Sequence, residues 1–278
     1  MIEPGTVQRN ASPRSANQIR GFQPAQVDGK RQRGDEQGGC LFYNHRPDAG
    51  APSLTRFGFP GPNAPRITSA VTLAVLILAA GASSRMGRPK LLLPWHDTTV
   101  LGHLLAQWRR LEAAQIAVVT APEAASLLVE LDRLGVAAAD RLVNPQPERG
   151  MFSSVQCAAR WPGWRPAATH FAVTLGDQPL VQEETLREFL HFVAGYPDCI
   201  AQPARNGRPR HPVVLPQRVW AEVGTARDET LKAFLNARDE LRALREFADA
   251  GLDLDLDTPA DYQRARALTG QGGTVAEN

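Results

Sequence analysis

The sequence predicts an α/β fold, a single Rossmann-like, doubly wound and mostly parallel sheet, and three observations carry that prediction. From residue 71 onward, short apolar runs alternate with amphipathic stretches of helical period. The first run, residues 73–80, is apolar at every position, as a buried parallel strand requires. It passes directly into Gly81-Ala82-Ser83-Ser84-Arg85-Met86-Gly87-Arg88-Pro89-Lys90, where small residues let backbone N–H groups approach an anion and Arg85 and Lys90 add positive charge. This loop matches neither a Walker A motif nor a Gly-x-Gly-x-x-Gly dinucleotide fingerprint.

Each element follows from local pattern. Residues 73–79 read as a strand, and residues 100–113 as a helix with Leu101, Leu104, Leu105, Trp108 and Leu111 at helical spacing. Residues 116–120 form a second apolar run, followed by a helix over about 123–134 and a weaker strand over 136–143. Residues 151–160 read as helical and 169–175 as a strand. Residues 183–193 form a helix with Leu186, Phe189, Leu190 and Val193 on one face. Residues 199–201 and 212–215 are further strands. In a doubly wound sheet, ligands bind at the carboxyl ends of the strands, where the Gly81 loop lies.

Residues 1–70 read differently. Gly and Pro make up about a quarter of them, with Arg, Gln, Ser and Asn filling much of the rest. That composition buries too little apolar surface to offset ordering, so 1–70 is expected to be a disordered extension and 271–278 a flexible tail, with one domain between them over 71–270. Two short apolar pieces, Leu41-Phe42-Tyr43 and Phe57-Gly58-Phe59, are candidates for docking onto that domain. The net charge of +2 makes no case for nucleic acid or an anionic membrane. No apolar run approaches the ~20 residues of a membrane span. Cys40, Cys157 and Cys199 are widely separated, which suggests reduced thiols in a cytoplasmic protein and no zinc site.

Four more segments fall where strands should end. Gly150-Met151-Phe152-Ser153-Ser154 offers small hydroxyl residues that cap a helix or contact a nucleotide. Gly176-Asp177-Gln178-Pro179 follows an apolar run; a carboxylate there suits Mg²⁺, although Asp and Pro also favour turns. Asn206-Gly207-Arg208-Pro209-Arg210-His211-Pro212 is a basic loop suited to an anionic substrate. In Asp253-Leu254-Asp255-Leu256-Asp257, alternation along an extended strand puts three carboxylates on one face, a repulsion that a cation relieves. Thr258-Pro259 then opens a helix through Tyr262.

Taken together and in this order, these motifs resemble the MobA-like nucleotidyltransferase family, which includes molybdenum cofactor cytidylyltransferases and guanylyltransferases. The matching residues are Leu78-Ala79-Ala80-Gly81-x-Ser83-x-Arg85-Met86-Gly87-x-x-Lys90, Gly150-Met151-x-x-Ser154, Gly176-Asp177-x-Pro179, His211-Pro212 and Asp255-x-Asp257-Thr258-Pro259. They span about residues 73 to 268. The resemblance implies a fold of the nucleotide-diphospho-sugar transferase type and a Mg²⁺-dependent transfer of CMP from CTP to the phosphate of a molybdopterin-type acceptor. It implies Arg85, Lys90 and Asp177 as catalytic residues, and Asp177 and Asp255 as metal ligands. Leu78, Ala79, Ala80, Gly81, Ser83, Ser154 and His211 would line the nucleotide and acceptor site. Ala79-Ala80-Gly81 and Leu93-Pro94-Trp95 lean toward CTP over GTP. A molybdenum hydroxylase or its chaperone is the implied receiver of the product. One departure stands out: the family often has glycine immediately before His-Pro, and this chain has Arg210.

The chemistry agrees with the resemblance. An acceptor phosphate is its own nucleophile, so no Ser-His-Asp or Cys-His arrangement is needed, and none has recognisable spacing. Two other readings remain open: the same transfer to a sugar 1-phosphate or another phosphate monoester, and a carrier that delivers the pterin cofactor to a molybdenum hydroxylase without chemistry.

Overall fold

The computed structural model describes residues 71–81, 83 and 85–270, with the backbone of Leu41–Phe42 and Thr55–Arg56. The rest of the expected extension over 1–70, and the expected tail over 271–278, lie outside the described residues.

The chain runs through strands β1 (Leu41–Phe42), β2 (Thr55–Arg56), β3 (Leu73–Ala79), β4 (Pro94–Trp95) and β5 (Thr98–Thr99), then helix α1 (Val100–Arg110). It continues with β6 (Gln115–Thr120), α2 (Ala125–Arg133), β7 (Arg141–Val143), α3 (Met151–Ala159), β8 (His170–Leu175) and α4 (Glu183–Gly195). The last part comprises β9 (Ile200–Arg205), β10 (Arg208–Pro209), β11 (Val213–Pro216), α5 (Gln217–Val223), α6 (Leu231–Asn236), β12 (Arg242–Glu246) and α7 (Pro259–Leu268).

The main sheet has the order β2-β1-β12-β9-β11-β8-β3-β6-β7, with β10 paired to β9. Strands β8, β3, β6 and β7 are mutually parallel, as are β9 and β12. Within this mostly parallel frame β11 is inverted, pairing antiparallel with both β8 and β9. Asn206 and Gly207 have φ of 53° and 70°, the left-handed pair that a tight β9–β10 hairpin requires. The antiparallel partner of β12 at the far edge is β1, in register Leu41↔Leu244.

Alternation along β3 splits the core into two layers. Leu73, Val75 and Ile77 face Leu104 and Trp108 of α1, Leu131 of α2 and Phe189 of α4. Ala74 and Leu76 face Val155 of α3, Trp220 of α5 and Phe234 of α6. Both faces of the sheet are therefore covered by helices, the doubly wound arrangement the pattern predicts.

Two local expectations fail. Only the last three residues of 136–143 form a strand, because Ala138–Asp140 turns as a 3₁₀ helix first. The alternating acidic stretch is not a strand either: Ala250–Asp253 is 3₁₀ and 254–257 is extended coil with no strand partner. Alternation reports which side chains are buried, here Leu256, and cannot tell an extended coil from a paired strand. Beyond these, the sequence pattern does not predict β1, β2, β4, β5, β10, β12, α5 or α6. The helix at Thr258-Pro259 is present, closed by a capping box between Thr258 and Asp261.

Candidate active site

The chain goes from β3 outward to β6 and β7, then returns to place β8 on the other side of β3. The gap between β3 and β8 is thus the topological switch point, where loops leave in opposite directions and open a crevice. Leu78 and Leu175 are partners at its rim, so the Gly81 loop and Asp177 emerge side by side. Gly176 makes this close approach possible: its N–H donates to the Leu78 carbonyl at 3.2 Å, and a Cβ there would lie 2.6 Å from that oxygen. At Gly81 an added Cβ would meet nothing within 4 Å, so open space lies above the loop.

Ser83 shapes the loop. It has φ of 50°, its carbonyl accepts from the Met86 N–H at 3.0 Å, and its Oγ accepts from the Lys90 N–H at 3.3 Å. Met86 and Leu91 anchor the loop in the core. Lys90, at the start of the 3₁₀ turn Lys90–Leu92, sends Nζ to Asp177 and to Asp257 Oδ1, the latter at 3.3 Å. Arg85 Nη2 reaches the other oxygen of Asp257 at 3.0 Å, with a side chain 69% exposed.

The acidic segment is brought alongside by a backbone bond, Leu256 N–H to the Asp177 carbonyl at 2.9 Å. It is also anchored through Tyr262, whose hydroxyl donates to the Pro94 carbonyl at 2.6 Å. Asp255 accepts from Gln178 Nε2 at 2.7 Å. Partial desolvation pushes the Asp255 carboxyl above its ordinary pKa; the bond from Gln178 opposes this, and the charges of Asp177 and Asp257 reinforce it. The three acids do not share one face. Asp253 turns away to Arg205 and Arg210, while Asp255 and Asp257 join Asp177.

The inversion of β11 explains how His211 arrives here, since the start of an antiparallel strand lies beside the ends of its parallel neighbours. His211 Nδ1 lies 3.2 Å from the Val173 carbonyl. Desolvation lowers the His211 pKa, against the raising effects of that carbonyl and of Asp177. Ser154 is buried, with its hydroxyl 3.0 Å from Asn144 Nδ2. Neither Ser153 nor Ser154 caps α3: the cap is Gly150 at φ 87°, and the Ser153 hydroxyl donates to the Gly150 carbonyl at 2.8 Å, with the Gln146 carbonyl also in reach at 3.1 Å.

The structure thus gathers Arg85, Lys90, Asp177, Asp255 and His211 at the switch point, with Leu78, Ala79, Ala80 and Gly81 leading into it. It leaves Ser154 behind a layer of hydrogen bonds centred on Asn144. Sequence reasoning assigned no role to Asp257, which holds both cations, or to Gln178, which holds Asp255. Both stand inside quoted motifs, so the signal was present, but only contacts across 77 to 172 residues of chain show what they touch.

No three His, Cys, Asp or Glu side chains among the described residues form a ready-made metal cage. The donor set still suits a hard cation, because Asp177 and Asp255 offer oxygen only and Asp255 carries poorly compensated negative charge. Mg²⁺ commonly takes one or two carboxylates and completes its shell with water and phosphate oxygens.

Comparison with known proteins agrees with this geometry. The chain is 27% identical over 195 residues to the molybdenum cofactor cytidylyltransferase of Escherichia coli K12, covering 69% of this chain and 94% of that protein. It is similar to the crystal structure of Rv0371c from Mycobacterium tuberculosis H37Rv, with a TM-score of 0.57, 30% identity, and coverage of 71% of this chain and 98% of that one. The structure of Rv0371c in complex with manganese gives a TM-score of 0.52 at 27% identity, with 70% and 98% covered. A nucleotidyl transferase from Methanothermobacter shares the fold, with a TM-score of 0.60 at 21% identity and 73% and 99% covered. The model of the MobA-like NTP transferase domain matches residues 75–243, and the chain belongs to that family of nucleotidyltransferases.

Proposed function

We propose that residues 71–270 form a Mg²⁺-dependent cytidylyltransferase that moves CMP from CTP to the phosphate of a molybdopterin-type acceptor. The observation that carries this reading is the set of Lys90, Arg85, Asp177 and Asp257 assembled at the switch point, two cations and two carboxylates in direct contact. Such a set suits phosphate-bearing substrates and a divalent cation. The likeness to the E. coli cytidylyltransferase over 94% of its length supports CTP and the pterin acceptor, as does Ala79-Ala80-Gly81. A manganese-bound relative supports a divalent cation.

In this reading one oxygen of the acceptor phosphate forms a bond to the α-phosphorus of CTP. The bond from that phosphorus to the β-bridging oxygen breaks, and the electron pair leaves with pyrophosphate. Backbone N–H groups of the Gly81 loop receive the triphosphate, and Arg85 and Lys90 exchange their carboxylate partners for phosphate oxygens. Asp177 and Asp255 would hold Mg²⁺, which supplies charge neutralisation on the triphosphate and the departing pyrophosphate. Gln178 keeps Asp255 oriented, and His211 borders the acceptor side. The product then passes to a molybdenum hydroxylase or its chaperone in the cytoplasm. No helix among the described residues is long and apolar enough to cross a membrane.

The test is pyrophosphate release with Mg²⁺, each NTP in turn, and molybdenum-loaded molybdopterin. Release with CTP and the pterin is the expected result. Release only with glucose 1-phosphate moves the protein to the sugar-phosphate reading. Tight pterin binding without release under any condition makes it a carrier.

A further inference from the structure

Beyond His211, away from the Lys90 cluster, opens a cleft of about 950 Å³, at the upper end of ligand-sized pockets. Its lining combines Met151 and the edges of the buried Leu231 and Leu235 with Lys232 and Arg242, and takes in Arg208 and Arg210 from the β9–β10 hairpin and its end. Met151 is 43% exposed beside the cleft.

Arg210 is fixed here more firmly than a surface arginine needs to be. Its N–H donates to the Pro203 carbonyl at 2.8 Å, and its carbonyl accepts from Gln202 Nε2 at 3.2 Å. Gln202 is itself buried and accepts from Arg242 Nη2 at 2.9 Å, so the support is rigid. The guanidinium donates through Nε to Asp253, which also takes Arg205. One carboxylate thus faces two guanidiniums, and the pair keeps residual positive charge. The Nη2 end of Arg210 has no protein partner among the described residues, and its side chain remains 26% exposed beside the cleft.

We propose that Arg210 is a specificity-determining contact for an anionic group of the acceptor, and that Asp253 is the residue that positions it. The inference rests on the nucleotidyl-transfer reading and adds a requirement on the acceptor: a molecule that enters this cleft with a negative group within reach of Arg210.

The experiment compares Arg210→Gln, Arg210→Lys and Asp253→Asn with the unmodified full chain, after melting curves show that each is folded. Steady-state kinetics use CTP with molybdenum-loaded molybdopterin and, separately, with glucose 1-phosphate. Titration calorimetry uses 6-hydroxymethylpterin monophosphate, a readout that needs no turnover. Loss of a charge-assisted hydrogen bond corresponds to about ten- to a hundredfold in affinity. Arg210→Gln should therefore raise acceptor KM and pterin phosphate Kd by that factor, while the KM for CTP stays within about twofold. Asp253→Asn should follow in the same direction by a smaller factor, and Arg210→Lys should recover part of the loss. Turnover with glucose 1-phosphate alone defeats the proposed function but leaves the same KM split to be read for Arg210. If acceptor KM does not move with whichever acceptor reacts, the inference is wrong; where the pterin is that acceptor, an equal Kd for pterin phosphate in all four proteins overturns it as well.

Discussion

Replacing Lys90 by alanine is predicted to weaken the fold and at the same time to strengthen its hold on divalent cations. Lys90 bonds Asp177 and sits 3.3 Å from Asp257, whereas Arg85 serves only Asp257. Its removal leaves Asp177 beside Asp255 and Asp257 with no cation of its own. At an effective dielectric of about 20, unit charges 3.3 Å apart attract by about 5 kcal/mol before desolvation offsets the gain. The Lys90 and Asp177 side chains are 16% and 17% exposed. The pair therefore lies between exposed ion pairs, at about 0–1 kcal/mol, and buried ones whose breakage costs about 3–5 kcal/mol. A net loss of about 2 kcal/mol follows. A divalent cation at a hundred times its Kd returns about 2.7 kcal/mol, and in the variant it no longer has to displace the ammonium group. The assay is urea unfolding followed by tryptophan fluorescence, in EDTA and in excess Mg²⁺, alongside pyrophosphate release. The midpoint should fall in EDTA, recover in Mg²⁺ to near the parent value, and turnover should stay about a hundredfold or more below it. Equal midpoints in EDTA, or an equal Mg²⁺ effect on both proteins, would refute the reasoning.

Three further outcomes follow from the same contacts. Asp255→Asn relieves repulsion from Asp177 and Asp257 while keeping a partner for Gln178, so metal-free stability should stay within about 1 kcal/mol of the parent or rise, as turnover collapses; a large fall in the urea midpoint would contradict this. Gly176→Ala drives a methyl to 2.6 Å from the Leu78 carbonyl oxygen, which cannot retreat without moving β3, and should cost about 1–3 kcal/mol, read as a lower melting temperature. His103 has a pKa lowered to about 4, by desolvation first and then by His96 and Arg110. Because the unfolded chain takes up this proton near pH 6.5, stability should fall as pH drops from about 6.5 to 4, by at most ~3.4 kcal/mol and by about half that after screening at this half-buried site. His103→Gln should flatten that limb of the stability profile in urea titrations at pH 7 and 4.5.

Much of the fold was readable because it rests on local periodicity. The strands read over 73–79, 116–120 and 169–175 are built on apolar runs, unbroken in 73–79 and 116–119, and α1 and α4 carry their apolar faces at helical spacing, so burial largely specifies them. Where burial and hydrogen bonding part company, the reading failed. Residues 253–257 alternate like a strand but find no partner strand. The stretch 136–143 turns as a 3₁₀ helix over Ala138–Asp140 and joins the sheet only at Arg141–Val143.

The sequence by itself determined the class of fold and the chemistry-bearing segments, since each is a property of residues adjacent in the chain. Only the tertiary structure decided which of those segments meet. The switch point puts Asp177 beside the Gly81 loop, a backbone bond from Leu256 brings in Asp255 and Asp257, and the inverted β11 delivers His211. It also sent Asp253 elsewhere, to Arg205 and Arg210. The physical reason is that a charge takes its meaning from its nearest counter-charge, and here the counter-charges lie 43 to 172 residues away along the chain.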